Sequence, residues 1–195
     1  MIRRSALCTT AILALMAAAT PALAKDTLID MDNARAGGFG GPVVKIGPIL
    51  DTSSVMIGGE GAATFTAGDH SLFIGGGGYG LVNEPDFGNN EKLELGYGGL
   101  ILGYTHRPDQ LVHVETKLLL GFGGVTIVDL DGNRQDDAAI FVSEVSIMGE
   151  VNLTDFFEIG VGAAYRQTTH PNIDGLKAQD LSGPSLVITF QFGSI

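Results

Sequence analysis

An alternation of period two constrains this chain more than any other feature. In residues 141–153, Phe141, Val145, Ile147, Val151 and Leu153 share one parity, and Glu144, Ser146, Glu150 and Asn152 share the other. Successive side chains of a β-strand point to opposite faces, so this segment has one apolar face and one charged face. Similar segments recur at about 42–50, 54–66, 71–82, 92–106, 111–126, 139–153, 157–168 and 181–193. Helical periodicity is absent after residue 24. Eight strands with a greasy face and a charged face predict an all-β chain, and the open question is which face meets solvent.

The N-terminus reads as an export signal over 1–24. Arg3 and Arg4 form a basic start, Ala6 to Ala19 is uncharged and apolar, and Ala22-Leu23-Ala24 gives the small-residue cleavage pattern before Lys25. The apolar run is too short for a membrane helix, and Pro21 closes it. Cys8 is not placed as a lipidation cysteine, because Leu7 precedes it and the apolar run follows it. Cleavage removes the only cysteine, so disulfide and thiol chemistry are excluded from the mature chain. It also removes two arginines, making the net charge two units more negative than −11. So acidic a chain is a poor partner for nucleic acid.

The remaining length suits one domain. Residues 25–41 read as a polar, then Gly-rich tail, and 42–195 as the domain. Charged residues are 17% of the chain, below the roughly 25% of soluble domains, which fits an exterior that faces lipid. Glycine is 29 of 195 residues and sits inside the strand-like segments, as in Gly75 to Gly78, Gly98-Gly99 and Gly123-Gly124. Glycine permits the coiling and close backbone approach that a narrow closed sheet needs.

The connections alternate in character. Residues 67–70, 107–110 and 154–156 read as tight turns, whereas 83–91, 127–138 and 169–180 are longer, acidic and rich in Asn, Asp and Gly. Outer-membrane barrels have short periplasmic turns and longer external loops. A periplasmic N-terminus puts every connection on its expected side, with Asp51 to Ser54 as a short external loop.

With the A-x-A signal, the eight alternating segments, the alternating connections and the last strand SLVITFQFG, the chain resembles the small eight-stranded outer-membrane β-barrels, such as the membrane domain of outer membrane protein A. In that last strand Leu186, Ile188, Phe190 and Phe192 share a face, as in the C-terminal assembly signal of the class, although the chain runs on to Ile195 without a terminal aromatic. The phrases GGFGGP, IGGGGYGLVNE and DLSGPSL also resemble an uncharacterised Gly-rich exported family. The resemblance implies an antiparallel up-and-down transmembrane barrel in a Gram-negative-type outer membrane. Its implied partners are outer-membrane lipid, lipopolysaccharide and the barrel assembly machinery, with any surface partner unknown.

In lipid every backbone polar group needs an internal partner, so a spanning sheet must close. Eight strands leave an interior just wide enough for side chains. The expected lumenal network is Lys45, Glu60, Glu94, His113, Glu115, Lys117, Glu144, Glu150, Glu158 and Arg166, with Val44, Ile46, Val55, Ile57, Val112, Val114, Leu118, Leu120, Phe157, Ile159 and Val161 facing out. Pairing Leu50 with Val55 would set Lys45 opposite Glu60, and pairing Leu153 with Phe157 would set Glu144 opposite Arg166.

Motifs for chemistry are weak. Gly75, Gly77 and Gly80 satisfy G-x-G-x-x-G, but Leu81-Val82-Asn83-Glu84-Pro85 follows instead of a helix, so a dinucleotide site is not expected. Asp129-Leu130-Asp131-Gly132-Asn133 lacks the acids an EF-hand needs at Ile127 and Ala138. Asp129, Asp131, Asp136 and Asp137 are weak candidates for holding a divalent ion against lipopolysaccharide phosphates. His70, His106 and His113 fall near the periplasmic end, with His106 and His113 expected on one face, and His170 stands alone in an external loop. A polar rim is the expected role for these histidines, with zinc the sharper alternative. No catalytic residues, cofactor or metal are expected. The functional reading is a non-conducting outer-membrane barrel with a structural or surface-interaction role. The alternatives are a soluble periplasmic barrel with its faces exchanged, binding a small apolar ligand, and an outer-membrane lipid-modifying enzyme.

Overall fold

The computed structural model describes residues 34–88 and 90–194; the expected signal at 1–24 lies outside the described residues. The elements are β1 (Arg35–Ile49), β2 (Thr52–Ala67), β3 (His70–Leu81), a short β4 (Asp86–Gly88), β5 (Glu91–His106), β6 (Val112–Asp129), β7 (Arg134–Thr154), β8 (Phe157–Thr168), a one-turn helix α1 (Ala178–Leu181) and β9 (Gly183–Ser194). Each long strand pairs antiparallel with two neighbours in the ring β1-β2-β3-β5-β6-β7-β8-β9, and β1 pairs with β9 to close it. Closure leaves no long strand with an unpaired edge. The chain is an eight-stranded up-and-down antiparallel barrel.

The first strand starts earlier than its sequence pattern suggests. Residues 35–41 belong to β1 rather than to a tail, because they pair with β2 from Arg35↔Thr66 to Gly41↔Glu60, and with β9 at Gly38↔Ser194 and Gly40↔Phe192. Ring closure, not alternation, makes this Gly-rich stretch a strand. The first hairpin also differs from expectation. Its loop is only Leu50-Asp51, both at positive φ (51° and 57°), as in the two-residue turns whose twist matches a hairpin. Ile49 therefore pairs with Thr52, and Lys45 faces Met56 across the ladder rather than Glu60. At the other hairpin a bulge between Asn152 and Thr154 moves Phe157 opposite Thr154, yet Glu144↔Arg166 is the observed register.

The apolar parity faces out. Val145 and Ile147 are 59% and 58% exposed, whereas Glu144 and Ser146, of the other parity, are 6% and 7% exposed. Aliphatic residues such as Ile57, Ile74, Leu100, Leu102, Leu120 and Val161 continue this belt. Aromatics flank it. Phe122 and Phe141 pair edge-to-face near the external end, with ring centroids 5.4 Å apart, and Phe157 stacks on Phe192 at 4.7 Å near the periplasmic end. An aliphatic band between aromatic girdles is the exterior of a membrane-spanning barrel. Glu94 is the exception to the expected lumenal set: it is exposed between buried Leu93 and Leu95, so it lies on the outer wall near the external end.

The lumen is filled in layers. The periplasmic end and centre hold the buried charged groups, together with Phe39, Phe73 and Ile101. The external third is apolar, lined by Ile49, Met56, Leu93, Leu95, Val125, Ile127, Ile140 and Val142. Residues 169–180, expected as a long acidic external loop, instead fold inward with Leu181, and Ile173, Leu176 and Leu181 cap this apolar third. Glycine makes room for the fill. A Cβ added at inward-facing Gly103 would lie 2.0 Å from the Phe73 ring, so that ring occupies the space a side chain would take. At Gly99 an added Cβ would lie 2.3 Å from the Leu120 carbonyl oxygen, a close backbone approach that coiling imposes.

Candidate functional site

The central layer is a connected set of charges. Lys45 ion-pairs with Glu144 across the barrel, not with Glu60 beside it. Tyr97 donates its hydroxyl to the other Glu144 oxygen at 2.7 Å, and the Lys45 ammonium lies over the Tyr79 ring, 3.2 Å from its centroid. Lys117 donates to Glu60 at 2.5 Å and lies 3.0 Å from Glu115, while Tyr79 donates to the second Glu60 oxygen at 3.0 Å. Each carboxylate of the two main pairs thus accepts from an ammonium and from a phenol. Burial of these ions is tolerable only because of those added bonds. The void among Lys45, Glu60, Tyr79, Lys117 and Glu144 measures about 10 Å³, no more than one water fills.

Arg166 leaves its register neighbour Glu144 to a different partner. Its Nε donates to the Leu181 carbonyl at 2.8 Å, its Nη1 lies 3.2 Å from the Met56 sulfur, and its guanidinium sits 5.7 Å from the Tyr97 ring centroid. The expected Glu144–Arg166 ion pair is therefore not among the salt bridges of the described residues. Arginine here anchors the folded-in loop. Thr168 supports it: its backbone N–H donates to the Ser182 hydroxyl at 3.0 Å, and its hydroxyl donates to the Ala178 carbonyl at 3.2 Å. The end of the β8–β9 loop is thereby tied to the barrel's inner wall.

Near the periplasmic mouth, His113, Glu150 and Glu158 converge. The His113 Nε2 lies 3.2 Å from Glu150 Oε2 and 3.7 Å from Glu158 Oε2, and its Nδ1 lies 3.2 Å from the Gln110 carbonyl. Gln191 donates to the other Glu150 oxygen at 2.7 Å. His106 is not on this face: it is exposed on the outer wall, paired with His70 across β3 and β5, and both rings contact Tyr104.

The external acids do not gather. Asp129 Oδ1 accepts from the backbone N–H groups of Asp131 and Asn133 at 2.9 and 2.8 Å, and Oδ2 accepts from the side chains of Asn133 and Gln135. These bonds from Asn133, with those from Asp131 and Gln135, hold the Asp129 carboxyl below the usual carboxylate range, at a position beyond the external aromatic girdle. Asp136 and Asp137 lie apart on β7, with Asp137 3.8 Å from Arg134.

Of the ten residues expected in the lumen, nine (Lys45, Glu60, His113, Glu115, Lys117, Glu144, Glu150, Glu158 and Arg166) are buried, and Glu94 is not. Sequence reasoning missed Tyr79, Tyr97 and Gln191. Their signal is parity: Tyr97 shares parity with buried Leu93 and Leu95, and Gln191 opposes the outward Phe190–Phe192 set.

No protein-family model matches the chain, and no curated protein matches its sequence. Solved structures do share its fold. Neisserial surface protein A superposes with a TM-score of 0.53 at 12% identity, covering 83% of this chain and 99% of that one. The attachment invasion locus protein of Yersinia pestis gives 0.49 at 12% identity, covering 81% and 97%. The fold is that of the small eight-stranded outer-membrane β-barrels.

Proposed function

We propose that this chain is an exported outer-membrane barrel with a structural or surface-interaction role, and that it does not conduct. The filled lumen supports the second half of this reading: the central void is about 10 Å³, and Ile173, Leu176 and Leu181 cap the apolar outer third. The aliphatic belt between two aromatic girdles supports insertion in a bilayer, where lipid and lipopolysaccharide are the neighbours and the barrel assembly machinery the inserter.

The surface role falls to the external hairpin of β6 and β7. At 18 and 21 residues these are the longest strands, and their tip carries Asp129, Asp131, Asp136 and Asp137 in exposed or half-exposed positions. A partner reaching the cell surface meets this acidic tip first. A lipid-modifying enzyme would need a nucleophile, base and orienting acid at the outer-leaflet end; there the lumen wall is apolar apart from Arg166, which is tied to the Leu181 carbonyl, and this favours the non-enzymatic reading. The same fill leaves no room for the apolar ligand of a soluble barrel.

Membrane fractionation with carbonate washing, gel mobility before and after boiling, and planar-bilayer recording test this. The protein is expected to stay with membranes, to migrate faster unboiled, and to give no steady conductance. Extraction by carbonate, or stable channels, would remove the proposal.

A further inference from the structure

We propose that the periplasmic mouth of the lumen is a divalent transition-metal site, with zinc as its preferred ion, ligated by His113 Nε2 and one oxygen each of Glu150 and Glu158. Three observations carry it. The first is geometry. The three ligand atoms lie within 4.8 Å of one another, with Nε2 at 3.2 and 3.7 Å from the two carboxylate oxygens. Tetrahedral zinc with bonds of about 2.0–2.2 Å sets its ligand atoms about 3.3–3.5 Å apart. Three protein ligands leave the fourth position for water.

The second is hydrogen bonding. The Gln110 carbonyl, 3.2 Å away, accepts the Nδ1 proton, so in the neutral imidazole the Nε2 lone pair faces the two carboxylates. Three electron-rich atoms then face one another, and a cation between them resolves the conflict. A histidine ligand with its second nitrogen on a backbone carbonyl is the usual arrangement around a bound metal. Gln191 similarly orients Glu150 through its outer oxygen, at 2.7 Å. Glu158 Oε2 has no hydrogen-bond partner, although its side chain is only 7% exposed.

The third is charge. Among the described residues the lumen buries five glutamates, Glu60, Glu115, Glu144, Glu150 and Glu158, against Lys45, Lys117 and Arg166. The two lysines are spent on Glu144, Glu60 and Glu115, and Arg166 lies at the external end. Glu150 and Glu158 are left two negative charges without a fixed cation, and a neutral His113 with one dication balances them. Imidazole with carboxylates suits zinc better than magnesium or calcium. An open depression of about 480 Å³, bordered by Asp109, Asn152, Asp155 and Glu158, leads to the site from the periplasmic end. The site is part of the barrel wall and is independent of what the external loops bind.

The test is calorimetric titration of zinc chloride into the chelator-treated barrel in detergent. One zinc per chain is expected, with affinity falling at least ~100-fold in Glu158→Gln, the upper end of what losing even an outer-shell partner costs. Asp129→Asn paired with Asp131→Asn should leave binding unchanged. Absence of binding, or equal binding by Glu158→Gln, overturns the proposal. Zinc X-ray absorption on the wild-type protein reads the site without any variant. A nitrogen and oxygen shell containing one imidazole supports it, and a shell with no imidazole overturns it.

Discussion

Glu144 and Arg166 are direct neighbours in the β7–β8 register, yet their side chains serve different partners. Glu144 reaches across the lumen to Lys45, and Arg166 turns toward the external end to hold the Leu181 carbonyl. The barrel is thus cross-linked through its interior rather than only along its ladders. Lys45 on β1 and Glu144 on β7 join strands three apart in the ring.

That cross-link sets the first expectation. Glu144→Leu alone leaves the Lys45 ammonium buried without its carboxylate and should cost about 3–5 kcal/mol. Lys45→Met with Glu144→Leu removes both charges and should recover most of that loss, because a buried ion pair is often replaceable by apolar groups of similar volume. Equilibrium urea unfolding in detergent measures the cycle. Additive losses in the double variant would mean the two side chains are not coupled.

Arg166→Ala should loosen the inward loop. It leaves a buried carbonyl unpaired and opens a cavity, for at least ~2 kcal/mol. Arg107→Ala, at an exposed turn where the side chain lies 3.6 Å from Asp69, should change stability by no more than ~0.5 kcal/mol. Limited proteolysis should also cut Arg166→Ala first within 169–182. Equal unfolding midpoints for the two variants would contradict the anchoring role.

Orientation is tested on the outer wall. Ile147→Arg places a charge in the middle of the aliphatic belt and should cost about 2–4 kcal/mol in a bilayer. Asp136→Arg, at the exposed external tip, should cost little. If folding into lipid vesicles tolerates Ile147→Arg as readily as Asp136→Arg, the belt does not face hydrocarbon.

Gly103→Val should be far worse than Gly80→Ala. A Cβ at Gly103 meets the Phe73 ring at 2.0 Å, whereas one at Gly80 meets nothing within 4 Å. Overpacking of this kind costs about 1–3 kcal/mol. Thermal unfolding followed by gel mobility reads the difference, and a similar effect at both positions would refute the filled-lumen packing.

The β6–β7 tip should loosen in acid. The Asp129 carboxyl is held below its ordinary range by bonds that only its ionised form accepts in full. Its contribution to turn order is therefore complete above the ordinary carboxylate range and is lost as pH falls through the depressed value. Amide exchange at Asp131 and Asn133 should quicken across that fall, and Asp129→Asn should flatten the response. No change in wild-type exchange would show that these bonds do not order the turn.

Much of this was legible in the chain itself. Eight segments of period-two alternation, tight turns at 67–70, 107–110 and 154–156, and a chain poor in charge specify an antiparallel barrel and which parity is greasy. Parity alone also places Lys45, Glu60, His113, Glu115, Lys117, Glu144, Glu150, Glu158 and Arg166 on one face, because strand direction fixes face without knowledge of neighbours. What parity cannot fix is who meets whom. The two-residue Leu50-Asp51 turn shifts the first register, and closure makes 35–41 a strand although its glycines carry no alternation. Partners across a lumen depend on curvature and side-chain reach, so Lys45–Glu144, the inward fold of Ile173, Leu176 and Leu181, and the meeting of His113 with Glu150 and Glu158 belong to the tertiary structure. Alternation is a property of one strand; those contacts exist only once the sheet has closed on itself.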